Sequence, residues 1–191
     1  EYDRSFLNFS AEVGVILNVE ADHLDYYRDL NEIVDVFGEF AGRVDDNGLL
    51  IYSAADENTR RAIEGLDRPV ESFGPTDSAC WKVFDLEYRG GHGCFDLIYN
   101  GSRLGSVKLG VAGEHNVSNA LAVAAIGHFI GLSNEQICEG LENYVGVVRR
   151  MSYKGVAGGV VVLDDYAHHP TEIKATLSTV LVAYQPKRLW C

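Results

Sequence analysis

EVGVILNV, residues 12–19, is almost continuously apolar and has the length of a single β-strand. Such an unbroken run is typical of a strand that other elements cover on both faces. Residues 30–44 then repeat apolar side chains at spacings of three and four, which predicts a helix with Asp29 as its cap. Residues 48–53 predict a second buried strand. Strand, helix and strand in this order indicate a right-handed parallel crossover and an α/β fold.

The middle of the chain changes to an alternation of apolar and polar residues over residues 80–111. The turn dipeptides Gly90-Gly91 and Asn100-Gly101 divide this stretch into three runs. We therefore expect an antiparallel meander that forms a flap or side sheet on the α/β core.

Helices are expected on both sides of a domain boundary that we place at residue 146. Residues 114–132 are rich in alanine, which suits a helix packed closely on a sheet, and Ser133 can cap the next helix. Beyond the boundary, two strands joined by Gly158-Gly159 precede a helix that begins at Pro170. The sequence thus predicts two domains, residues 1–146 and 147–191.

The composition excludes several classes of function. With 16 Lys and Arg against 28 Asp and Glu, the net charge of −12 argues against general binding to nucleic acid or to an anionic membrane. No apolar stretch approaches the roughly 20 residues that span a bilayer. The 4 cysteines form no CxxC pair, so a zinc site or a disulfide framework has little support. We expect a protein of the reduced cytoplasm, and the sequence is silent on its oligomeric state.

The first polar segment is NVEADHLDYY, residues 18–27, which follows the first predicted strand. In open α/β sheets, ligands bind beyond the carboxyl ends of the strands. Oxygen ligands with one imidazole suit magnesium or manganese better than zinc. A solvated strand-to-helix loop is the alternative interpretation. The candidate ligands are Glu20, Asp22, His23 and Asp25.

The second polar segment is GEHNVSNA, residues 113–120. Asn116 and Asn119 are three residues apart, so both amides lie on one face of a helix, where His115 can join them. An asparagine amide both donates and accepts, which matches the paired groups on the edge of adenine. The alternative is a helix cap in which Ser118 and the asparagines bind first-turn amides.

The third polar region combines Arg149 and Arg150 with DDYAHHPTE, residues 164–172. Paired arginines can clamp a phosphate or a carboxylate. The loop over residues 166–169 is expected at the carboxyl edge of a second sheet, and from its residues alone it could be a metal site, an acid/base centre or a polar helix cap.

Four segments of the chain resemble, in their order, segments of the Mur ligases, which are ATP-dependent enzymes that add amino acids to the peptidoglycan precursor. These segments are NVEADHLDYY, GEHNVSNALAV, GVVRRM and DDYAHHPTE. The resemblance covers nearly the whole chain and is strongest to the branch that joins L-alanine to UDP-N-acetylmuramate. It implies part of a mostly parallel-sheet, ATP-binding central domain with an antiparallel side sheet, followed by the start of a Rossmann-like C-terminal domain. RRMSYKGVAGG also resembles the recycling branch, which adds a tripeptide to the same acceptor. A non-catalytic nucleotide-binding module is a further alternative.

The resemblance also implies roles for individual residues, with ATP and Mg²⁺ as cofactors. His23 would bind the metal, and Arg150 and His168 would take part in catalysis, with His168 a candidate general base. The implied ATP-binding residues are His115, Asn116, Asn119, Arg150 and Asp165. The implied residues for UDP-N-acetylmuramate and L-alanine are Arg149, Tyr166, His168 and His169.

Two departures from the family pattern limit this expectation. The sequence has no glycine-rich GKT phosphate loop. The family's second metal carboxylate would come a few residues before Glu1, and Glu1 itself lies too late to replace it. We therefore expect a fragment, with no ligase activity of its own.

Overall fold

The computed structural model describes residues 3–191, so Glu1 and Tyr2 lie outside the described residues. A six-stranded sheet has its strands in chain order, from β1 to β6. These strands are β1 (Ala11–Ile16), β2 (Val44–Ser53), β3 (Val70–Phe73), β4 (Trp81–Arg89), β5 (His92–Tyr99) and β6 (Ser102–Ala112). The helices that flank the sheet are α1 (Leu30–Gly42), α2 (Glu57–Ala62), α3 (Glu114–Phe129) and α4 (Asn134–Asn143). The remaining elements are a short 3₁₀ helix (Ser5–Asn8), β7 (Ser152–Ala157), β8 (Val160–Asp164) and α5 (Pro170–Tyr184).

The predicted strand–helix–strand unit is confirmed, and β1 pairs with β2 in parallel. The Asp29 carboxylate caps α1 by accepting the N–H of Glu32 at 3.0 Å. β1 ends at Ile16, three residues before the end of the apolar run that predicted it. The rest of that run leads into a loop over residues 17–29, which carries His23.

Residues of β2 contribute to the core on both faces of the sheet. Leu49 and Ile51 pack on one side with α3 and α4, whereas Leu50 packs on the other with α1 and α2. Side chains alternate across a strand, so a strand covered on both faces must be apolar throughout. This is the physical origin of the unbroken apolar run at residues 48–53.

The antiparallel meander is confirmed, with β4, β5 and β6 paired in sequence. It belongs to the same sheet as the parallel strands, because β4 lies beside β3 through the single residue pair Phe73 and Trp81. The side sheet is therefore the antiparallel half of one continuous sheet. Trp81 lies at the junction of the two halves and is fully buried.

A polar network surrounds Trp81 at this junction. Its indole N–H donates to one carboxylate oxygen of Glu71 at 2.5 Å, and the Tyr99 hydroxyl donates to the other at 2.7 Å. The Trp81 and Tyr99 rings stack with their centroids 4.3 Å apart. The donors of the buried Trp81 and of the partly buried Tyr99 are thus both satisfied, as polar groups removed from water require.

This network predicts that the free energy of unfolding decreases at alkaline pH. The hydrogen bond to Glu71, followed by burial, raises the pKa of Tyr99 from 10.0 to about 12. Because the raised pKa belongs to the folded state, the stabilisation is complete below pH 10 and is lost as the pH rises towards about 12. We expect Tyr99→Phe to flatten the dependence of the unfolding free energy on pH in this range, as measured by urea denaturation. An unchanged slope in the variant would contradict the assignment.

The C-terminal elements form a hairpin followed by a helix. β7 and β8 are antiparallel, and their turn places Gly158 and Gly159 at positive φ. α5 packs against the first part of the chain, where a Cβ added to Gly91 would lie 2.7 Å from the Cβ of Ala183. Glycine at this position therefore permits the close approach of α5. Across residues 3–191, no helix combines the length and the apolar character needed to cross a membrane.

Candidate nucleotide and substrate site

The carboxylate of Asp165 organises the turn that carries Arg150. One of its oxygens accepts the N–H of Met151 at 2.8 Å, and the other accepts the N–H of Ala167 at 2.8 Å. Arg149 and Met151, on either side of Arg150, both have positive φ values of 64° and 51°. Non-glycine residues adopt this conformation at a cost, so the surrounding bonds must hold it. Asp165 therefore fixes the backbone that presents Arg150.

The side chains of Tyr166 and His168, in the loop over residues 165–169, pack in a row with that of Arg149. The Arg149 guanidinium lies 4.4 Å from the centroid of the Tyr166 ring, and the Tyr166 and His168 rings meet edge to face at 5.2 Å. The Tyr166 N–H donates to the Arg149 carbonyl at 2.8 Å. These residues, predicted to line a substrate site, are thus brought together on one exposed surface.

The first turn of α5 holds the end of this loop. The His169 imidazole accepts the N–H of Thr171 at 3.3 Å. Glu172 reaches back to accept the backbone N–H of His168 at 3.2 Å. Glu172 also accepts the backbone N–H of His169 at 3.5 Å, and this bond together with the His169–Thr171 bond forms a capping box with histidine in the capping position. The polar helix cap is thus one correct interpretation of DDYAHHPTE.

Glu172 also carries charge interactions with the site. A guanidinium nitrogen of Arg150 lies 3.7 Å from its carboxylate. Burial by itself would raise the pKa of Glu172. The net pKa is nevertheless lowered, because the backbone N–H groups of His168 and His169 and the charges of Arg150 and His168 stabilise the ionised carboxylate. Glu172 therefore stays ionised beside Arg150.

The two asparagines of GEHNVSNA lie within α3, and capping is the wrong interpretation for them. The cap of α3 is Gly113, which makes no side-chain capping bond. The Asn116 amide donates to the Ala112 carbonyl at 2.7 Å, and its oxygen accepts from Asn119 at 3.3 Å. Among residues 3–191, the Asn119 oxygen has no hydrogen-bond partner in the structure, so it remains available to a ligand.

A cavity of about 340 Å³ separates the start of α3 from α5. This volume lies at the small end of the range for ligand pockets, about 300–1,000 Å³. Displacement of water by neighbouring atoms lowers the pKa of His115, while the charge of Asp165 raises it and that of Arg150 lowers it. His115 faces this cavity together with residues of α5. The cavity is lined by Tyr88, Gly91, Gly113, Glu114, His115, Ala175, Ser178, Thr179 and Val182.

His23 lies on the loop over residues 17–29, with a φ of 50°. Its imidazole is 3.9 Å from the Asp22 carboxylate, which also accepts the His23 backbone N–H at 2.8 Å. Within the described part of the chain, no group of three or more histidine, cysteine or acidic side chains is arranged to hold a metal ion. Magnesium prefers octahedral oxygen coordination. The described residues therefore do not form a complete magnesium site.

Sequence reasoning gave no role to Thr171 or Glu172, and it considered Glu20 only as a candidate metal ligand. Glu172 fell within the quoted motif without a role, because a capping box with histidine as the cap lacks the usual serine or threonine signal. Thr171 and Glu20 meet across the structure, with a hydrogen bond of 2.5 Å between residues 151 positions apart. No local sequence pattern indicates a contact over such a separation.

Two family models match the chain. The Mur ligase middle domain matches residues 3–127. The chain belongs to the Mur ligase family. A second model, the glutamate ligase domain of Mur ligases, matches residues 149–191. The hairpin and α5 of this Mur ligase chain thus fall in a different family domain from the six-stranded sheet.

The similar proteins include enzymes from two branches of the Mur ligases. The chain is 44% identical over 194 residues to UDP-N-acetylmuramate–L-alanine ligase of Clostridium tetani, covering 100% of this chain and 42% of that protein. The structure of UDP-N-acetylmuramate-alanine ligase MurC from Thermotoga maritima has 28% identity and a TM-score of 0.76, covering 96% of this chain and 41% of that one. The UDP-N-acetylmuramate:L-alanyl-gamma-D-glutamyl-meso-diaminopimelate ligase of Neisseria meningitides has 31% identity and a TM-score of 0.66, covering 75% of this chain and 43% of that one. The Mur ligase chain thus spans less than half the length of these relatives.

Proposed function

We propose that the chain is part of an ATP-dependent ligase that joins L-alanine to UDP-N-acetylmuramate in cytoplasmic peptidoglycan synthesis. The family membership supports ATP-dependent amide formation. The 44% identity to the Clostridium tetani enzyme supports alanine as the added amino acid. The Neisseria relative, at 31% identity, supports a tripeptide as the alternative amine. We also propose that the domain boundary lies at residue 146, within residues 144–151, which carry no helix or strand.

The nucleotide half of the site is proposed to consist of His115, Asn116, Asn119, Arg150 and Asp165. The observation that carries this proposal is the cavity between two separate parts of the chain, which His115 lines from the start of α3 and which Ser178 and Thr179 line from α5. The free oxygen of Asn119 can accept from the adenine amino group. Arg150 supplies a positive charge for the phosphates, where charge develops during phosphoryl transfer.

The acceptor half is proposed to consist of Arg149, Tyr166, His168 and His169. In the proposed reaction, the muramoyl carboxylate attacks the γ-phosphate of ATP and releases ADP. The amine of alanine then attacks the acyl phosphate, loses a proton and displaces phosphate. Arg149 is suited to bind a substrate carboxylate, because its guanidinium can form two parallel hydrogen bonds and lies 4.4 Å from the centroid of the Tyr166 ring, which helps to position it.

His168 is proposed as the general base that accepts the proton of the amine. Its Nδ1 atom is 3.1 Å from the Tyr166 carbonyl, and a carbonyl can only accept. In the neutral ring, Nδ1 therefore carries the hydrogen and Nε2 is the basic nitrogen. The side chain is 63% exposed, so a substrate can reach it. An imidazole can accept a proton and release it again, which suits this task.

His23 is proposed as one magnesium ligand. The described residues do not complete the site, so none of the steps above depends on the metal. Magnesium, when bound, would neutralise phosphate charge.

A chimera tests the proposed function. In it, residues 3–191 replace the matching segment of the Clostridium tetani ligase. We expect ADP release that requires both UDP-N-acetylmuramate and L-alanine, and no release from the 191-residue chain alone. ADP release with the tripeptide but not with L-alanine would favour the recycling alternative. A folded chimera that releases no ADP with either amine would overturn the proposal.

The same assay tests the general base. We expect His168→Ala in the chimera to lower kcat by about hundredfold, since a general base contributes roughly that factor or more. His128→Ala serves as the control, because its imidazole packs against Trp81 and Tyr99 of the six-stranded sheet and is not one of the proposed site residues. Full activity of the His168 variant would remove His168 from the mechanism.

A further inference from the structure

Glu20 connects the loop after β1 to the start of α5. One of its carboxylate oxygens accepts a 2.5 Å hydrogen bond from the Thr171 hydroxyl. The other accepts a 3.1 Å bond from the Asn18 amide, which belongs to the same loop as Glu20. The carboxylate is therefore oriented by its own loop and binds α5 with its remaining oxygen.

The hydroxyl of Thr171 is the hydrogen-bond donor in this contact. The His169 Nδ1 atom is also near, at 3.6 Å from the same carboxylate oxygen. That nitrogen already accepts the N–H of Thr171, and an accepting ring nitrogen carries no hydrogen. Bonds to an ionised acceptor are roughly twice as strong as neutral ones. The Glu20 side chain is 33% exposed, and its bond to Thr171 lies at the surface.

The contact is additional to the capping of α5. The backbone groups at the start of this helix are satisfied by the side chains of His169 and Glu172. Loss of the Glu20 carboxylate would leave both of these capping bonds in place. The Glu20–Thr171 bond therefore contributes to the relative placement of two segments and not to the formation of α5.

We infer that Glu20 is a positioning residue that holds the loop over residues 165–169 against the loop over residues 17–29. Its carboxylate lies three residues before His23 on one side, and on the other it bonds the residue two positions beyond His169. The inference rests on the proposed function for the roles of these loops, which are a magnesium ligand and the acceptor site. Glu20 would thus set the distance between the metal-binding and amine-binding sides of the reaction.

Amide hydrogen exchange, followed by NMR in the 191-residue chain, tests this inference. In Thr171→Val, we expect about tenfold faster exchange at Tyr26 and Tyr27, whose amides bond to the His23 carbonyl at 2.9 Å. In Glu20→Ala, we expect a similar change at Ile173, whose amide bonds to the His169 carbonyl at 3.0 Å. For each variant, amide exchange is thus measured in the segment that does not carry the substitution. If the substituted residue affected only its own segment, exchange there would not change.

Two controls accompany these variants. Thr171→Ser keeps the hydroxyl and should restore the original exchange rates. Glu12→Ala removes a carboxylate from β1 that makes no side-chain hydrogen bond within residues 3–191, and should leave both segments unchanged. Exchange within twofold of the original at the opposite segment, in both Thr171→Val and Glu20→Ala, would overturn the inference.

The exchange measurement contains no nucleotide or substrate, so its outcome is independent of the ADP-release assay. If the exchange rates show that the loops are coupled but the chimera releases no ADP, the role of Glu20 is supported and the proposed function is refuted. If the chimera releases ADP but the exchange rates show no coupling between the loops, the proposed function is supported and the role of Glu20 is refuted.

Discussion

Trp81→Ala is expected to lower the free energy of unfolding by about 3–5 kcal/mol, the usual cost of truncating a buried aromatic side chain. Trp81 is 0% exposed and is part of the main hydrophobic core. It also forms the single residue pair between the parallel and antiparallel halves of the sheet. Its removal leaves a cavity at this junction and takes one hydrogen-bond donor from Glu71. Urea denaturation followed by far-ultraviolet circular dichroism measures the change.

Two further variants interpret this result. Phe84→Ala removes an aromatic ring from the same strand, but that ring is 67% exposed, so we expect a loss within about 0.5 kcal/mol. Trp81→Phe retains much of the aromatic packing and removes the indole donor, and should fall between the two. This milder variant keeps the prediction testable if Trp81→Ala does not fold. Equal losses for Trp81→Ala and Phe84→Ala would show that the junction is not a centre of stability.

Asp165→Ala is expected to destabilise the C-terminal hairpin and the turn before it by about 2–4 kcal/mol. Hydrogen bonds to charged groups contribute about 1.5–3 kcal/mol each, and we reduce the sum of two because the site is only partly buried. Without the carboxylate, the amides of Met151 and Ala167 lose their acceptor. The positive φ values of Arg149 and Met151 then lack the contacts that hold them. Amide exchange at Met151 and Ala167 measures the loss directly.

The neighbouring aspartate provides a matched control. The Asp164 carboxylate lies 3.3 Å from the Lys154 ammonium in an exposed ion pair, and such pairs contribute about 0–1 kcal/mol. Asp164→Ala should therefore leave exchange at Met151 nearly unchanged. Asp165→Asn keeps one acceptor oxygen and should lose about half as much as Asp165→Ala. Comparable effects of the two alanine variants would show that Asp165 does not hold the turn.

Much of the local structure could be predicted because its causes are local. The cap at Asp29, the capping box at Ser133 and the hairpin turn at Gly158-Gly159 each depend on residues a few positions apart. The end of β1 was not predicted, since the apolar run continues past Ile16 into a loop. In this loop Leu17 is 44% exposed, whereas Val19 is buried at 1% exposure without belonging to a strand. An apolar pattern therefore does not distinguish a strand from the loop that follows it.

The site was predictable only in its parts. The three polar segments were found from residue type and from their position after strands, and the resemblance to a family supplied roles for them. Their mutual contacts were not foreseen. Asp165 was expected at the nucleotide, whereas both of its oxygens bind backbone amides. Its contact with the nucleotide remains a proposal.

The sequence by itself determined the α/β class, the crossover, the meander and the family, because these depend on periodicity, turn residues and motifs in order. Only the tertiary structure decided that the meander continues the parallel sheet through Trp81. It also decided that Glu20 meets Thr171 and that His115 lines a cavity together with residues of α5. Hydrogen bonds and charges act over a few ångströms in space, and separations in sequence as long as 151 residues leave no periodic trace of them.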